Sequence, residues 1–161
     1  MQLSCFRSVI FTLVNQLRRK KSYSRLKTAI DRETLPVGIS LIDCRILAAP
    51  DLVHEKANFK AYLGRPWRPY SRTILINSFI DDLIDPAGWL EWNKGDRLDK
   101  LYYGEYMNKG PGANVTNRVK RPGYRRIKNA AEAAKFTVGP FIKGKAWLNS
   151  TFITFTLGVF E

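Results

Sequence analysis

The sequence predicts an all-β chain whose strands recur along its length and which ends in a short helix. Two segments, "SLIDCRI" at 40–46 and "ILINSFI" at 74–80, align residue for residue at an offset of 34. A third, "KLYYGEYMN" at 100–108, carries the aromatic residues that suit a pleated surface. Near the end, "NAAEAAKF" offers Asn129 as N-cap, Glu132 three residues on and alanines of high helix propensity, the pattern of a capping box.

Charge divides the chain before its elements do. Residues 1–35 carry eight Lys/Arg against two acids, net +6, while 36–161 carry nineteen against twelve, net +7. We therefore read 1–35 as a basic N-terminal segment and 36–161 as the folded body. In the first segment, "CFRSVIFTLVNQL" is apolar but interrupted by Arg7 and Asn15. It is too short and too polar to span a bilayer, so no transmembrane segment is expected. It also makes a poor secretory signal: "RRKK" at 18–21 follows the apolar run, and no small-residue cleavage site is evident. An amphipathic helix with a basic exit is preferred over membrane targeting, and a polybasic contact to nucleic acid or lipid stands beside it as an unspecific reading.

In the body, the offset of 34 matches Leu41 with Leu75, Ile42 with Ile76, Asp43 with Asn77, Cys44 with Ser78 and Ile46 with Ile80. Apolar, polar and small positions keep the same order. Strands recurring at such intervals are compatible with a solenoid in which each coil stacks on the last. A β-sandwich would give similar strands. Turn chemistry separates the strands at "DPAG" (85–88) and "GPGA" (110–113).

The totals restrict chemistry as well. A net charge of +13 favours polyanionic partners: nucleic acid, an acidic polysaccharide or an anionic membrane face. Charge alone does not choose among them. Two cysteines, Cys5 and Cys44, give neither a CxxC pair nor a disulfide framework. With His54 as the single histidine, the chain lacks the side chains for an ordinary zinc site, and no metal is expected. His54 reads as a loop residue. Asn114 in "NVT" and Asn149 in "NST" are acceptor sequons for N-glycosylation and lean towards a secreted parent protein.

Four motifs then point to one family. "YLGRPWRPYSRT", "IDPAGWLEW", "LYYGEYMNKGPGANVTNRV" and "AAEAAKFTVGPFI" stand in the order found in the C-terminal part of plant pectin methylesterases, and "VGISLIDCRILAAPDL" resembles the strand and turn just upstream. The resemblance covers roughly 35–157, and residues 1–34 match nothing recognised in the family. It implies the C-terminal portion of a right-handed parallel β-helix and a function in hydrolysing galacturonate methyl esters of pectin, without a cofactor. The implied partner is pectin or polygalacturonate. The implied location is the secreted, cell-wall one of the family, although this N-terminus is a poor signal. Oligomeric state is not addressed.

In the mechanism the resemblance implies, one aspartate attacks the ester carbonyl and a second serves as general acid and then base. Glutamines stabilise the oxyanion, an arginine holds the nucleophilic carboxylate, and a tryptophan lines the sugar subsite. By the motif match the arginine is Arg65 and the tryptophan is Trp67. A guanidinium is planar, permanently charged and able to grip a carboxylate through two parallel hydrogen bonds. An indole gives a pyranose an aromatic face and an N–H donor. Gly64 lets the turn form closely, and Pro66 stiffens the step between the two side chains. Trp89 and Trp92 read as packing residues, and Arg68 and Arg72 as exposed charges.

The family's two aspartate motifs, Gln-Asp and Asp-Phe-Ile-Phe-Gly, do not occur in this sequence. Its two glutamines, Gln2 and Gln16, both lie in the basic segment. Of Asp43, Asp51, Asp81, Asp82 and Asp85, none follows the family's motif, and Asp85 reads as a turn residue before Pro86. The stretch as given is thus expected to release no methanol by itself. A solenoid starting near Pro36 is also expected to expose an open edge, with the basic segment no obvious cap and the isolated chain only marginally folded. The tail has Phe152-Ile153-Thr154 where the family has a glycine and a proline, which places its closing turn in question. Two other readings stand beside this one. One is a non-catalytic pectate-binding module using Trp67 and the basic surface. The other is a nucleic-acid-binding protein, for which no specific motif or stacking platform is present.

Overall fold

The computed structural model describes residues 2–5, 38–48, 50, 52–54, 58, 60–66, 70–91 and 98–159. Its largest sheet is parallel throughout and runs in the order β2 (Ile39–Ile42), β4 (Arg72–Ile76), β6 (Tyr102–Tyr106), β7 (Tyr124–Arg126). A second sheet has the order β1 (Gln2–Cys5), β3 (Cys44–Leu47), β5 (Phe79–Ile80). The repeat seen in the sequence is the pairing register itself. Leu41 pairs Leu75 and Ile42 pairs Ile76 in the first sheet, and Ile46 pairs Ile80 in the second. Each coil therefore lies directly on the previous one, which excludes the sandwich.

The corner between the two sheets explains how one coil copies the next. Asp43, Asn77 and Met107 occupy the left-handed region, with φ of 52°, 51° and 50°. Asp and Asn tolerate that conformation better than most residues. The Asp43 N–H donates to the Ile76 carbonyl at 3.0 Å, and the Asn77 N–H to the Tyr106 carbonyl at 2.9 Å. One residue later Ser78 is fully buried. Its hydroxyl accepts from the Cys44 N–H at 3.1 Å and donates to the Ile76 carbonyl at 3.0 Å, while its own N–H reaches Asn108 Oδ1 at 2.9 Å. Buried polar groups thus close onto each other across three coils.

Strand alternation sorts the apolar residues into two cores. Leu75, with Leu41, Ile80, Trp89, Leu101 and Tyr103, fills the interior. Ile74 and Ile76 face the other way and join Tyr106, Ile127, Ala133, Phe136 and Phe141. That outer face is covered by α1 (Ala130–Ala134) and α2 (Val138–Ile142), so the parallel sheet is buried on both sides.

The Asn129 cap forms as expected, its Oδ1 accepting from the Ala131 N–H at 2.8 Å. Glu132 does not complete a capping box; its carboxylate accepts the Tyr102 hydroxyl. The predicted helix is followed by a second, α2, which the sequence conceals because Gly139 and Pro140 sit in its first turn. The tail turns at Phe152, whose φ is 59° and whose side chain is fully exposed. A glycine there would carry no such strain.

The N-terminal segment corrects one expectation. Its residues Gln2–Cys5 form β1, which pairs antiparallel with β3 and covers the edge of that sheet. The register sets Cys5 opposite Cys44, and Cys44 is disulfide-bonded. The amphipathic-helix reading of the segment lies outside the described residues. His54 is exposed in a turn. Among the described residues there is no metal-ligating cluster and no helix long and apolar enough to cross a membrane.

Candidate functional site

A third wall, built from single bridges rather than strands, carries the candidate site. Ala61 bridges Ile84 and Gly64 bridges Trp89, both in parallel. The Asp85 N–H donates to the Ala61 carbonyl at 2.8 Å, the Leu63 N–H to the Gly88 carbonyl at 2.7 Å, and the Leu90 N–H to the Gly64 carbonyl at 3.0 Å. Asp85 makes the expected turn, its Oδ1 accepting from the Ala87 N–H at 2.9 Å. The Val119 N–H then donates to the Ala87 carbonyl at 3.1 Å, adding the next layer.

On this wall Leu63 packs against the interior core and Pro66 is buried, while Arg65 between them is exposed. An exposed cation is thereby flanked by two anchored neighbours. Gly64 lies over the Trp89 ring, where a Cβ would stand 3.3 Å from its Cζ3. That close approach is why a glycine precedes Arg65. Trp67 and Arg68 lie outside the described residues, as do Asp51 and Trp92. Arg72, expected as an exposed charge, is half-buried in β4.

Beneath Trp89 is a polar cluster that the sequence did not announce. Trp89 is 1% exposed and stacks on Tyr103, with ring centroids 4.6 Å apart. Its indole Nε1 donates to Glu105 Oε1 at 3.0 Å. The same carboxylate takes two bonds from Arg118, Nε to Oε1 at 2.9 Å and Nη2 to Oε2 at 3.1 Å. Arg118 places two further donors on the Gly112 carbonyl at 2.6 Å and the Pro86 carbonyl at 3.1 Å. Both side chains are sealed from solvent, at 3% and 1% exposure. A buried pair persists when its geometry is good and further hydrogen bonds satisfy its polar groups, and both conditions are met here.

This cluster shapes its neighbours. Burial pushes the Tyr103 phenol up to about 12. Burial, and then the Glu105 charge, push Tyr124 up as well. Alternation along "YYGEY" puts Glu105 on the face of Tyr103, an acid on a core face, which is a signal the sequence does contain. Nothing marks Arg118 as its partner among 27 basic residues. Elsewhere the sequon residues stand in solvent. Asn114 is exposed, its Oδ1 accepting from the Thr116 N–H at 2.9 Å, and Asn149 is exposed, its Nδ2 donating to the Lys145 carbonyl at 3.4 Å.

Comparison with known proteins places this architecture. The family model described as Pectinesterase matches residues 9–145, beginning inside the basic segment. A probable pectinesterase/pectinesterase inhibitor of Arabidopsis thaliana is 69% identical over 123 residues, 76% of this chain and 23% of the relative. A pectinesterase/pectinesterase inhibitor of Ficus pumila var. awkeotsang is 43% identical over 157 residues, 95% of this chain and 29% of the relative. Among solved structures, the pectin methylesterase from carrot superposes with a TM-score of 0.77 at 44% identity, over 80% of this chain and 40% of that one. The chain therefore spans less than a third of the length of these two relatives.

Proposed function

The chain belongs to the pectinesterase family, and from that premise we propose that it supplies the carboxylate-gripping wall of a site that hydrolyses methyl esters of galacturonate in pectin. Its architecture is that of the family, the right-handed parallel β-helix. Arg65 is the gripping residue. The observation that carries this reading is an exposed guanidinium between a buried proline and a glycine seated on a buried tryptophan. Such a cation is held at a fixed place on the wall, and its planar fork suits a carboxylate, which it takes through two parallel hydrogen bonds. In the complete site that carboxylate is the nucleophilic aspartate, which must stay ionised and aimed to attack an ester. Trp67 is assigned to the sugar subsite by the motif match alone. Secretion to the cell wall follows from the family, with Asn114 and Asn149 as glycan acceptors.

The test is methanol release from highly methylated pectin by carrot pectin methylesterase whose matching C-terminal part is replaced by residues 36–161. Turnover is expected, with a loss of about 10²-fold or more on Arg65→Ala, the scale of a misaligned reacting group. Undiminished turnover in that variant would remove Arg65 from the site.

A second reading is favoured by the same exposed guanidinium on a chain of net charge +13: by itself, the chain holds polygalacturonate without turning it over. It predicts salt-sensitive retention on polygalacturonate that weakens on Arg65→Ala. Retention indifferent to both would sink it.

A further inference from the structure

Two of the contacts that fix the loop bearing Arg65 come from Gly88 and Trp89 of the neighbouring coil. One is the Gly88 carbonyl, which receives the Leu63 N–H; the other is the Trp89 ring, which lies under Gly64. Each of these is in turn set by the buried ion pair. Gly88, at φ 71°, is packed so closely on Arg118 that a Cβ there would lie 2.5 Å from Arg118 Cδ. The Trp89 indole is oriented by its bond to Glu105. The guanidinium is further tied to carbonyls of two other segments, Pro86 and Gly112, so the pair cannot shift without moving the coil.

From this chain of contacts we infer that Glu105 and Arg118 are positioning residues for Arg65, acting through Gly88, Trp89 and Gly64 rather than touching any substrate. The inference rests on reading Arg65 as a carboxylate grip. A buried ion pair is a weak device for stability, since desolvation offsets most of its attraction, and a packed apolar pair of similar volume often serves as well. What an apolar pair does not supply is a directed acceptor for the indole N–H and a fork that spans three segments. The fold survives such a replacement, and the height and tilt of the Arg65 loop do not.

The experiment measures binding of polygalacturonate to the full chain at low salt, comparing wild type, Arg65→Ala, the paired replacement Glu105→Met with Arg118→Met, and the combination of all three. Circular dichroism and urea unfolding confirm that each is folded. The expected result is that the paired replacement binds about tenfold more weakly, that Arg65→Ala adds nothing further to it, and that amide exchange at Leu63 and Leu90 accelerates at unchanged global stability. If Arg65→Ala costs the same factor in both backgrounds, or the paired replacement binds like wild type, the positioning role is overturned. If wild type and Arg65→Ala bind alike, the reading of Arg65 itself fails, a result separate from either. Should the paired replacement not fold, Trp89→Phe carries the same cycle. It removes the indole donor that Glu105 orients together with the outer ring atoms that lie against Gly64, so both links to the Arg65 loop are cut.

Discussion

Two walls of this molecule solve the same stacking problem by different means. The corner at Asp43, Asn77 and Met107 repeats one backbone conformation three times and joins its coils by main-chain bonds and the Ser78 hydroxyl. The wall at 61–64 and 84–89 also carries main-chain bonds, but at isolated bridges, and it is backed by side chains buried behind it, Trp89 on Tyr103 and Glu105 on Arg118. The first wall repeats one arrangement from coil to coil. The second is backed by single contacts that do not recur, and it is the one that presents Arg65. A backbone ladder fixes strands well, but a single exposed side chain is aimed by what lies beneath it.

The largest way to break that contrast is Arg118→Ala. It leaves the Glu105 charge buried without its partner and is expected to lower stability by about 3–5 kcal/mol, read from the shift in urea unfolding. A loss under about 1 kcal/mol would mean that water reaches the carboxylate. Next comes Ser78→Ala, which strands the Cys44 N–H and is expected to cost about 1–3 kcal/mol. Were it to cost more than Arg118→Ala, the ranking of the two walls would be reversed. Asn129→Ala touches neither wall. It removes one capping bond and serves as a reference near 1 kcal/mol, checked in the same assay.

The smallest effect at neutral pH sharpens the comparison by titration. Tyr103, under Trp89, has its phenol raised from 10.0 to about 12 by burial. The unfolded chain gives up this proton first as pH rises, so the contribution of Tyr103 is complete below pH 10 and is lost as pH climbs towards 12. Unfolding midpoints compared at pH 9 and pH 11 should fall, and fall less in Tyr103→Phe. Equal slopes in the two proteins would show that this ring does not carry the dependence.

The regular wall was legible because its determinants recur at a fixed offset. The offset of 34 that matches Cys44 with Ser78 is the register that brings the Cys44 N–H to the Ser78 hydroxyl. The Asn129 cap was legible because its partner is two residues away. Legibility failed where the deciding contact is distant and does not recur. Glu132 is drawn off its own helix by Tyr102, thirty residues back. Gly139 and Pro140 hide α2, which is held by the burial of Val138 and Phe141 rather than by propensity. The cover that Gln2–Cys5 gives to β3 is another long-range fact, and an antiparallel one in an otherwise parallel stack. At the site, Gly64 and Pro66 announced a tight loop, but the reason for the glycine is a ring that arrives 25 residues later.

Successive partners in the main sheet are spaced unevenly: Thr73 follows Ile39 by 34 residues, Tyr102 follows Arg72 by 30, and Tyr124 follows Tyr103 by 21. The strands and the left-handed corner admit no change of length, because one residue more or less would turn every side chain to the opposite face. The difference is absorbed between the strands, along the course that includes the Arg65 wall. Changes of length are thereby channelled to the part of each coil that carries the Arg65 wall. The scaffold can stay constant while the surface around Arg65 changes.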